Sequence, residues 1–244
     1  MCSCLGGGPR NIWVDFSSAS CYTAFALRPR SISMKVSAVI PAYNEAERIG
    51  AVLAPLRAAK SVDEIVVVDD GSTDGTAEVV RRFGVKLVRL PENRGKAAAL
   101  DAGVRVAEGD VLLFLDADLV GLRPEHVEKL LSAYREGDAE IVIGVFKEGR
   151  AGTDLSMKIA PFLSGQRVLS RKVWERMRGA VEEMEFGVEA ALTKLAFKEG
   201  WKHKKVELEG VSHVRKEEKR GLTTGVVDRL SMYWDILRSL LRKI

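Results

Sequence analysis

The chain has 244 residues, 46% of them hydrophobic and 30% charged, with a formal net charge of +4. Such a composition suits one large or two small globular domains, and so mild a charge gives no reason to expect nucleic acid as a partner. No apolar stretch approaches the ~20 residues that cross a bilayer.

Cys2, Cys4 and Cys21 are the only cysteines and lie in the first 21 residues, so neither a disulfide scaffold nor a structural zinc site is supported in the rest. Residues 1–33 carry Gly6-Gly7-Gly8-Pro9 and scattered aromatics without periodicity. They also lack the basic start and apolar core of a secretory signal. They are expected to be a disordered tail or a gene-model extension, with the biological start at Met34.

A first strand is expected over Lys35–Ile40, closed by Pro41-Ala42-Tyr43-Asn44-Glu45. A helix follows over Glu45–Ala59, with Ile49, Val52, Leu53 and Leu56 on one face and Asn44 as N-cap. Ile65–Val68 is a second strand, ending in Asp69-Asp70-Gly71-Ser72-Thr73-Asp74, and Asp74 is placed to cap a helix reaching Phe83. Val85–Leu90 is a third strand, and Pro91-Glu92-Asn93-Arg94-Gly95-Lys96 leads into an Ala-rich helix ending near Ala107. Val111–Leu115 has no polar member, which predicts a strand buried on both faces. Strands alternating with helices predict βαβ units and a mostly parallel, doubly wound α/β sheet with helices on both faces.

The fourth strand ends in two acids, Asp116 and Asp118, at the edge where open α/β sheets hold their ligands. Acids beside a buried strand are costly unless neutralised, and a hard divalent cation with oxygen ligands would do so. The alternative is a solvated turn. Right-handed crossovers bring Tyr43 and Glu45, Asp69 and Asp70, and Lys96 to the same edge. Lys96 is followed by Ala97 rather than Ser or Thr, and no Gly-x-Gly-x-x-Gly follows the first strand. A phosphorylated ligand is therefore expected through a metal rather than a Gly-rich cradle. Asp70 and Asp74 also suit turns and caps, and Lys96 also suits a helix surface.

Val39-Ile-Pro-Ala-Tyr-Asn-Glu45, Val67-Val-Asp-Asp-Gly-Ser-Thr-Asp74, Asn93-Arg-Gly-Lys96 and Asp116-Ala-Asp118 together resemble the family-2-type glycosyltransferases of the Rossmann-like GT-A fold. The resemblance implies that the first half binds a nucleoside-diphosphate sugar. Pro41, Tyr43, Glu45 and Asp70 would contact the nucleotide, with Lys96 beside the nucleotide-sugar. Asp116 and Asp118 would hold Mg²⁺ or Mn²⁺ on the diphosphate.

Beyond Leu119 a helix is expected over Pro124–Tyr134 and a strand over Ile141–Phe146. Residues 161–169 are mixed, around Ser164-Gly165-Gln166-Arg167, and Met184–Glu189 opens a helix to Lys198. Lys204–Leu208 alternates like an exposed strand and leads to His213. His126, on a charged helix face, and His203, among lysines, are expected to be solvated. In several GT-A enzymes a late histidine completes the metal site, and His213 matches that position; a mixed oxygen and imidazole set suits Mn²⁺ at least as well as Mg²⁺.

Within the superfamily, the glucosyl-3-phosphoglycerate synthases are approximated by Gly149, Arg150 and Thr153, by Ser164 and Gly165, by Gly187-Val188-Glu189, and by His213. That likeness implies acceptor contacts at Arg150, Thr153 and Arg167, since guanidinium groups suit phosphate and carboxylate. It adds Glu189 to Asp118 and Lys96 as catalytic groups. The loop departs from the pattern at Ala151-Gly152, one residue longer. Polyprenyl-phosphate hexose synthases share the amino-terminal motifs. Residues 222–244 are expected to form an amphipathic helix, with Leu230, Trp234, Leu237 and Leu241 at helical spacing, suited to its own domain, a homodimer or a membrane interface.

The expected organisation is a GT-A domain over 34–221, cytoplasmic or peripheral at the inner face of the membrane. It would transfer a hexose from a UDP- or GDP-sugar to a small phosphorylated or carboxylated acceptor such as 3-phosphoglycerate. Transfer to polyprenyl phosphate is the second reading, and a non-catalytic sugar-nucleotide-binding or scaffold protein the third.

Overall fold

A computed structural model describes residues 34–146, 164–182, 189, 192, 195, 196 and 198–213. The leader at 1–33, the acceptor loop with Arg150 and Thr153, and the expected helix at 222–244 lie outside the described residues. The elements run β1 (Val36–Ala42), α1 (Ile49–Ala58), β2 (Glu64–Asp69), α2 (Thr76–Arg82), β3 (Lys86–Arg89), α3 (Lys96–Val106) and β4 (Val111–Phe114). They continue with β5 (Leu119–Val120), α4 (Pro124–Arg135), β6 (Ile141–Phe146), β7 (Arg167–Ser170), α5 (Arg171–Glu182), β8 (His203–Leu208) and β9 (Ser212–His213).

Seven strands form one sheet in the order β3-β2-β1-β4-β7-β6-β8. β1 is parallel to β2 and β4, and β2 to β3. β7 runs antiparallel to both β4 and β6, while β8 is parallel to β6. The sheet is therefore mostly parallel, with one reversed strand beside its centre. Because strand side chains alternate between faces, β4 sends Val111 and Leu113 into one core and Leu112 and Phe114 into the other. The first core gathers Ile49, Val52, Leu53 and Leu56 of α1 with Val127, Leu130 and Leu131 of α4. The second gathers Leu100 and Val104 of α3 with Trp174 and Met177 of α5. Phe114 meets Trp174 edge to face at 5.0 Å. Each such side chain contributes roughly 1.5–3 kcal/mol by leaving water, which is why an all-apolar strand settles at the centre.

Three local expectations are corrected. The first helix begins at Ile49, not Glu45; Glu45 O instead accepts the N–H groups of Arg48 and Ile49 at 3.0 and 2.9 Å in a lead-in turn. Asn44 is not its N-cap. With a left-handed φ of 55°, it joins two loops: its N–H donates to Ser72 Oγ at 2.9 Å, and its Oδ1 accepts the Thr73 N–H at 2.9 Å. His126 is buried at the start of α4, where its Nδ1 accepts the Arg123 N–H at 3.2 Å and Nε2 lies 3.1 Å from the Arg123 guanidinium. Burial, then the Arg123 charge, pushes its pKa down, so a helix-start role replaces the solvated one. By contrast His203 is exposed, and Val206 and Leu208 of β8 are buried between exposed neighbours, as expected. The helix α5 has no counterpart in the sequence reading, although Val173, Trp174 and Met177 have helical spacing.

At the amino ends of the strands a charge network ties β1, β2 and β3 to the start of β4. Glu108 accepts from Lys35 at 2.6 Å and from Lys86 at 2.8 Å, and Lys86 also pairs with Glu64. The Lys35 bond, then the Lys86 bond, brings the Glu108 carboxyl from an ordinary 4.5 down to about 2. A carboxyl depressed on folding stabilises above its ordinary value, and that contribution is lost as pH falls through the folded one. Glu108→Gln is therefore expected to lower the urea midpoint slightly near neutrality, with the difference from the parent vanishing as pH drops from 4.5 towards 2. A pH-independent difference would contradict the ion-pair account.

Candidate active site

Two acids, Asp69 at the end of β2 and Asp70 directly after it, shape the loops at this edge of the sheet. Asp69 Oδ1 accepts the Ser72 N–H at 2.9 Å and so turns the chain. Asp70 is almost wholly buried, and its two oxygens accept the N–H groups of Arg94 and Gly95 at 2.8 and 2.9 Å. The second strand end thereby fixes the loop that delivers Lys96 at the start of α3. Gly71 permits this approach: its φ is +73°, and a Cβ there would lie 2.6 Å from the Asn93 backbone nitrogen. Gly71→Ala combines left-handed strain with a clash against backbone and should cost roughly 2 kcal/mol or more. A thermal midpoint matching the parent's would show that the loop yields more easily than this.

Asp74 Oδ1 accepts the Thr76 N–H at 2.9 Å from one position before the N-cap Gly75, and its Oδ2 accepts the Ala46 N–H at 3.1 Å. It serves the first turn of α2 and also the neighbouring loop. Glu45 is buried; its carboxylate accepts from Arg48 at 2.9 Å and its N–H donates to Thr76 Oγ1 at 2.9 Å. Tyr43 is exposed and Pro41 half-buried on β1. Arg48 was not singled out in the sequence. Its hydrogen bond to Glu45 raises its pKa against the opposing effect of burial, and Asp118 adds to the rise. The signal was an arginine three residues after Glu45.

The strand ends converge on Asp116. Lys96 Nζ bridges Asp116 Oδ1 and Glu189 Oε1, bringing together the start of α3, the end of β4 and the helical segment containing Glu189. Burial disfavours the Lys96 ammonium, but the charges of Asp116 and Glu189 outweigh it and its pKa is raised. Burial likewise works against the Asp116 carboxylate, and Lys96 followed by His213 holds its pKa down. Lys96 is thus a bridging cation rather than a helix-surface lysine.

His213 arrives from the far end of the chain because β9 pairs antiparallel with β5, placing it opposite Leu119. Its Nδ1 lies 3.1 Å from Asp118 Oδ1 and its Nε2 3.6 Å from Asp116 Oδ2, while Phe146 packs edge-on against the ring at 4.9 Å. One ligand atom from each of Asp116, Asp118 and His213 falls within a 4.8 Å group. Two carboxylates and an imidazole that close form a donor set fitting Mn²⁺ or Mg²⁺.

Arg167 differs from its expectation as an acceptor contact. It is 1% exposed, with Nε donating to Ser164 O at 3.0 Å and Nη2 to Glu189 O at 3.1 Å. Burial brings its pKa down to about 10, against the pull of Glu189 and Asp116. A guanidinium committed to main-chain carbonyls beneath Glu189 supports the site from inside and does not offer an open anion-binding fork.

A model for glycosyl transferase family 2 matches residues 37–199. The undecaprenyl-phosphate 4-deoxy-4-formamido-L-arabinose transferase of Aeromonas hydrophila is 38% identical over 125 residues, 47% of this chain and 37% of that protein. The dolichol-phosphate mannosyltransferase of Pyrococcus furiosus is 38% identical over 117 residues, 46% of this chain and 33% of that protein. The chain thus spans about a third of the length of the curated relatives it matches. Among solved structures, glucosyl-3-phosphoglycerate synthase from Mycobacterium tuberculosis with phosphoglyceric acid superposes with TM-score 0.59 at 26% identity, over 74% of this chain and 72% of that one. Its complex with Mn²⁺, uridine-diphosphate and phosphoglyceric acid gives 0.65 at 24% identity, over 86% and 78%. Those likenesses identify the fold as the GT-A type.

Proposed function

The chain belongs to glycosyl transferase family 2, and from that membership we propose that it moves a hexose from a nucleoside-diphosphate sugar to an anionic acceptor, with Mg²⁺ or Mn²⁺. The observation that supports this most directly is the grouping of Asp116, Asp118 and His213 at the carboxyl edge of the sheet, with Lys96 alongside. The three would hold the metal, which when bound supplies Lewis-acid stabilisation of the departing diphosphate.

The remaining roles belong to the chain itself. The Lys96 ammonium places a second positive charge at the diphosphate end and ties Glu189 to Asp116 through its two ion pairs. Glu189 in turn sets a negative charge against the positive charge that develops at the anomeric carbon in glycosyl transfer. Asp70 fixes the loop carrying Lys96, while Pro41, Tyr43 and Glu45 line the nucleotide side.

For the acceptor, a small phosphorylated or carboxylated hydroxy acid such as 3-phosphoglycerate is the first reading, supported by the likeness, over 74% of this chain, to a synthase solved with phosphoglyceric acid. Arg150 and Thr153 would contact it. Polyprenyl phosphate is the second, favoured by the names of the curated sequence relatives, whose match covers only about half of this chain. No helix among the described residues is long and apolar enough to cross a membrane. UDP- and GDP-hexoses incubated with Mn²⁺ and either 3-phosphoglycerate or a short polyprenyl phosphate should give a glycosylated product with one acceptor. Metal-dependent donor binding without turnover on either would favour a non-catalytic binding protein.

A further inference from the structure

Ser164-Gly165-Gln166 lies directly against Asp116, and neither composition nor motif assigns it a task. Gln166 is fully buried, and its Nε2 donates to Asp116 Oδ2 at 2.8 Å. Its Oε1 lies 2.7 Å from Ser164 Oγ, and its main-chain oxygen accepts the Gly144 N–H at 2.8 Å. The amide orientation follows from chemistry, because only the NH₂ side can face a carboxylate. Gly165 brings the main chain close to the same group: a Cβ there would lie 2.7 Å from Asp116 Cγ. Lys96 holds the other carboxylate oxygen, Oδ1.

A carboxylate held by one cation still swings about its terminal torsion, which has broad, shallow wells. A second donor on the opposite oxygen fixes the plane. The residual lone pair of Oδ2 then faces the space shared with His213 Nε2, 3.6 Å away. A neutral donor does this without cancelling the negative charge that a cation needs. An arginine or lysine here would compete with the metal, and a carboxylate would repel Asp116.

We infer that Gln166 is a positioning residue that orients Asp116 for metal binding, with Gly165 providing the close approach and Ser164 anchoring the amide. This rests on the reading that Asp116, Asp118 and His213 hold the metal. Loss of such an outer partner typically weakens metal affinity about 10–100-fold.

Gln166 is the only glutamine in the chain, so protein labelled with ¹⁵N in its glutamine side chain shows one NH₂ pair. That pair should shift as Mg²⁺ is added, alone and with UDP, with the midpoint found by calorimetry. Gln166→Met, of similar length but without the amide, should bind Mn²⁺ about 10–100-fold more weakly. An NH₂ pair unmoved at saturating Mg²⁺ overturns the role, and so does Mn²⁺ affinity in Gln166→Met within twofold of the parent; both leave the metal site standing. If Gln166→Met does not fold, the parent spectrum decides by itself. A parent that binds neither ion, with or without UDP, overturns the role and the metal reading together.

Discussion

Asp118→Ala is expected to abolish metal-dependent nucleotide-sugar binding and to lower donor turnover on the order of 10²–10³-fold, about 3–4 kcal/mol of transition-state stabilisation. Asp118 is one of the three groups that would hold the metal and one of the two carboxylates among them. Its side chain is only 21% exposed, so the unfolding midpoint is measured beside activity, and a variant that keeps the parent's midpoint separates chemistry from folding. Steady-state kcat/KM across a Mn²⁺ titration, with calorimetry on the same protein, makes the comparison. A variant with the parent's metal dependence would remove Asp118 from the ligand set. Chelation of the parent with EDTA should reproduce the effect, and Mn²⁺ should reverse it.

Lys96→Met should affect both stability and turnover. The ammonium separates two carboxylates, those of Asp116 and Glu189, which are 15% and 19% exposed. Methionine fills much of the volume but removes the cation that bridges these acids. Removing one partner from a largely enclosed ion pair costs far more than a surface pair is worth. Allowing for the one-third exposure of the Lys96 side chain, the loss should be roughly 2–4 kcal/mol in metal-free buffer at neutral pH. Urea unfolding measures it. A difference under ~0.5 kcal/mol would mean that solvent already screens the two acids. Part of the lost stability should return in saturating Mn²⁺, because a metal that binds only the folded state stabilises it by mass action.

The two changes separate roles that proximity alone would blur. Asp118 belongs to the group that would hold the metal and should matter chiefly once a ligand is present. Lys96 is part of the cleft's internal electrostatics and should matter before any ligand arrives. If Lys96→Met lost activity without losing stability, the lysine would act on the substrate alone.

The strands of the first half were legible because their signal is local. Uninterrupted apolar runs such as Val111–Leu115 report burial on both faces wherever their neighbours come from, and each ends in polar residues that cannot continue into the core. Asp116 and Asp118 could therefore be placed at a ligand-bearing edge from sequence. Local pattern was a poorer guide where hydrogen bonding overruled it. Asn44 has the composition of an N-cap, yet its side chain serves the loop after β2. His126 sits in a charged stretch, yet its ring turns inward to the start of its own helix.

What the sequence by itself determined is the set of alternating elements and the acids and lysine that their ends carry. What only the tertiary structure decided is which distant groups meet them. Glu189 reaches Lys96 across 93 positions and His213 reaches Asp118 across 95. Periodicity says that a residue is buried or exposed but not against what. The reversed strand β7 carries Arg167 in beside β4, with Gln166 one position ahead of it, and the pairing of β9 with β5 brings His213 to the same place. The physical reason is that sheet pairing joins segments by backbone hydrogen bonds. Those bonds leave little trace in the side-chain pattern of either partner, so the company Asp116 keeps is fixed by the fold.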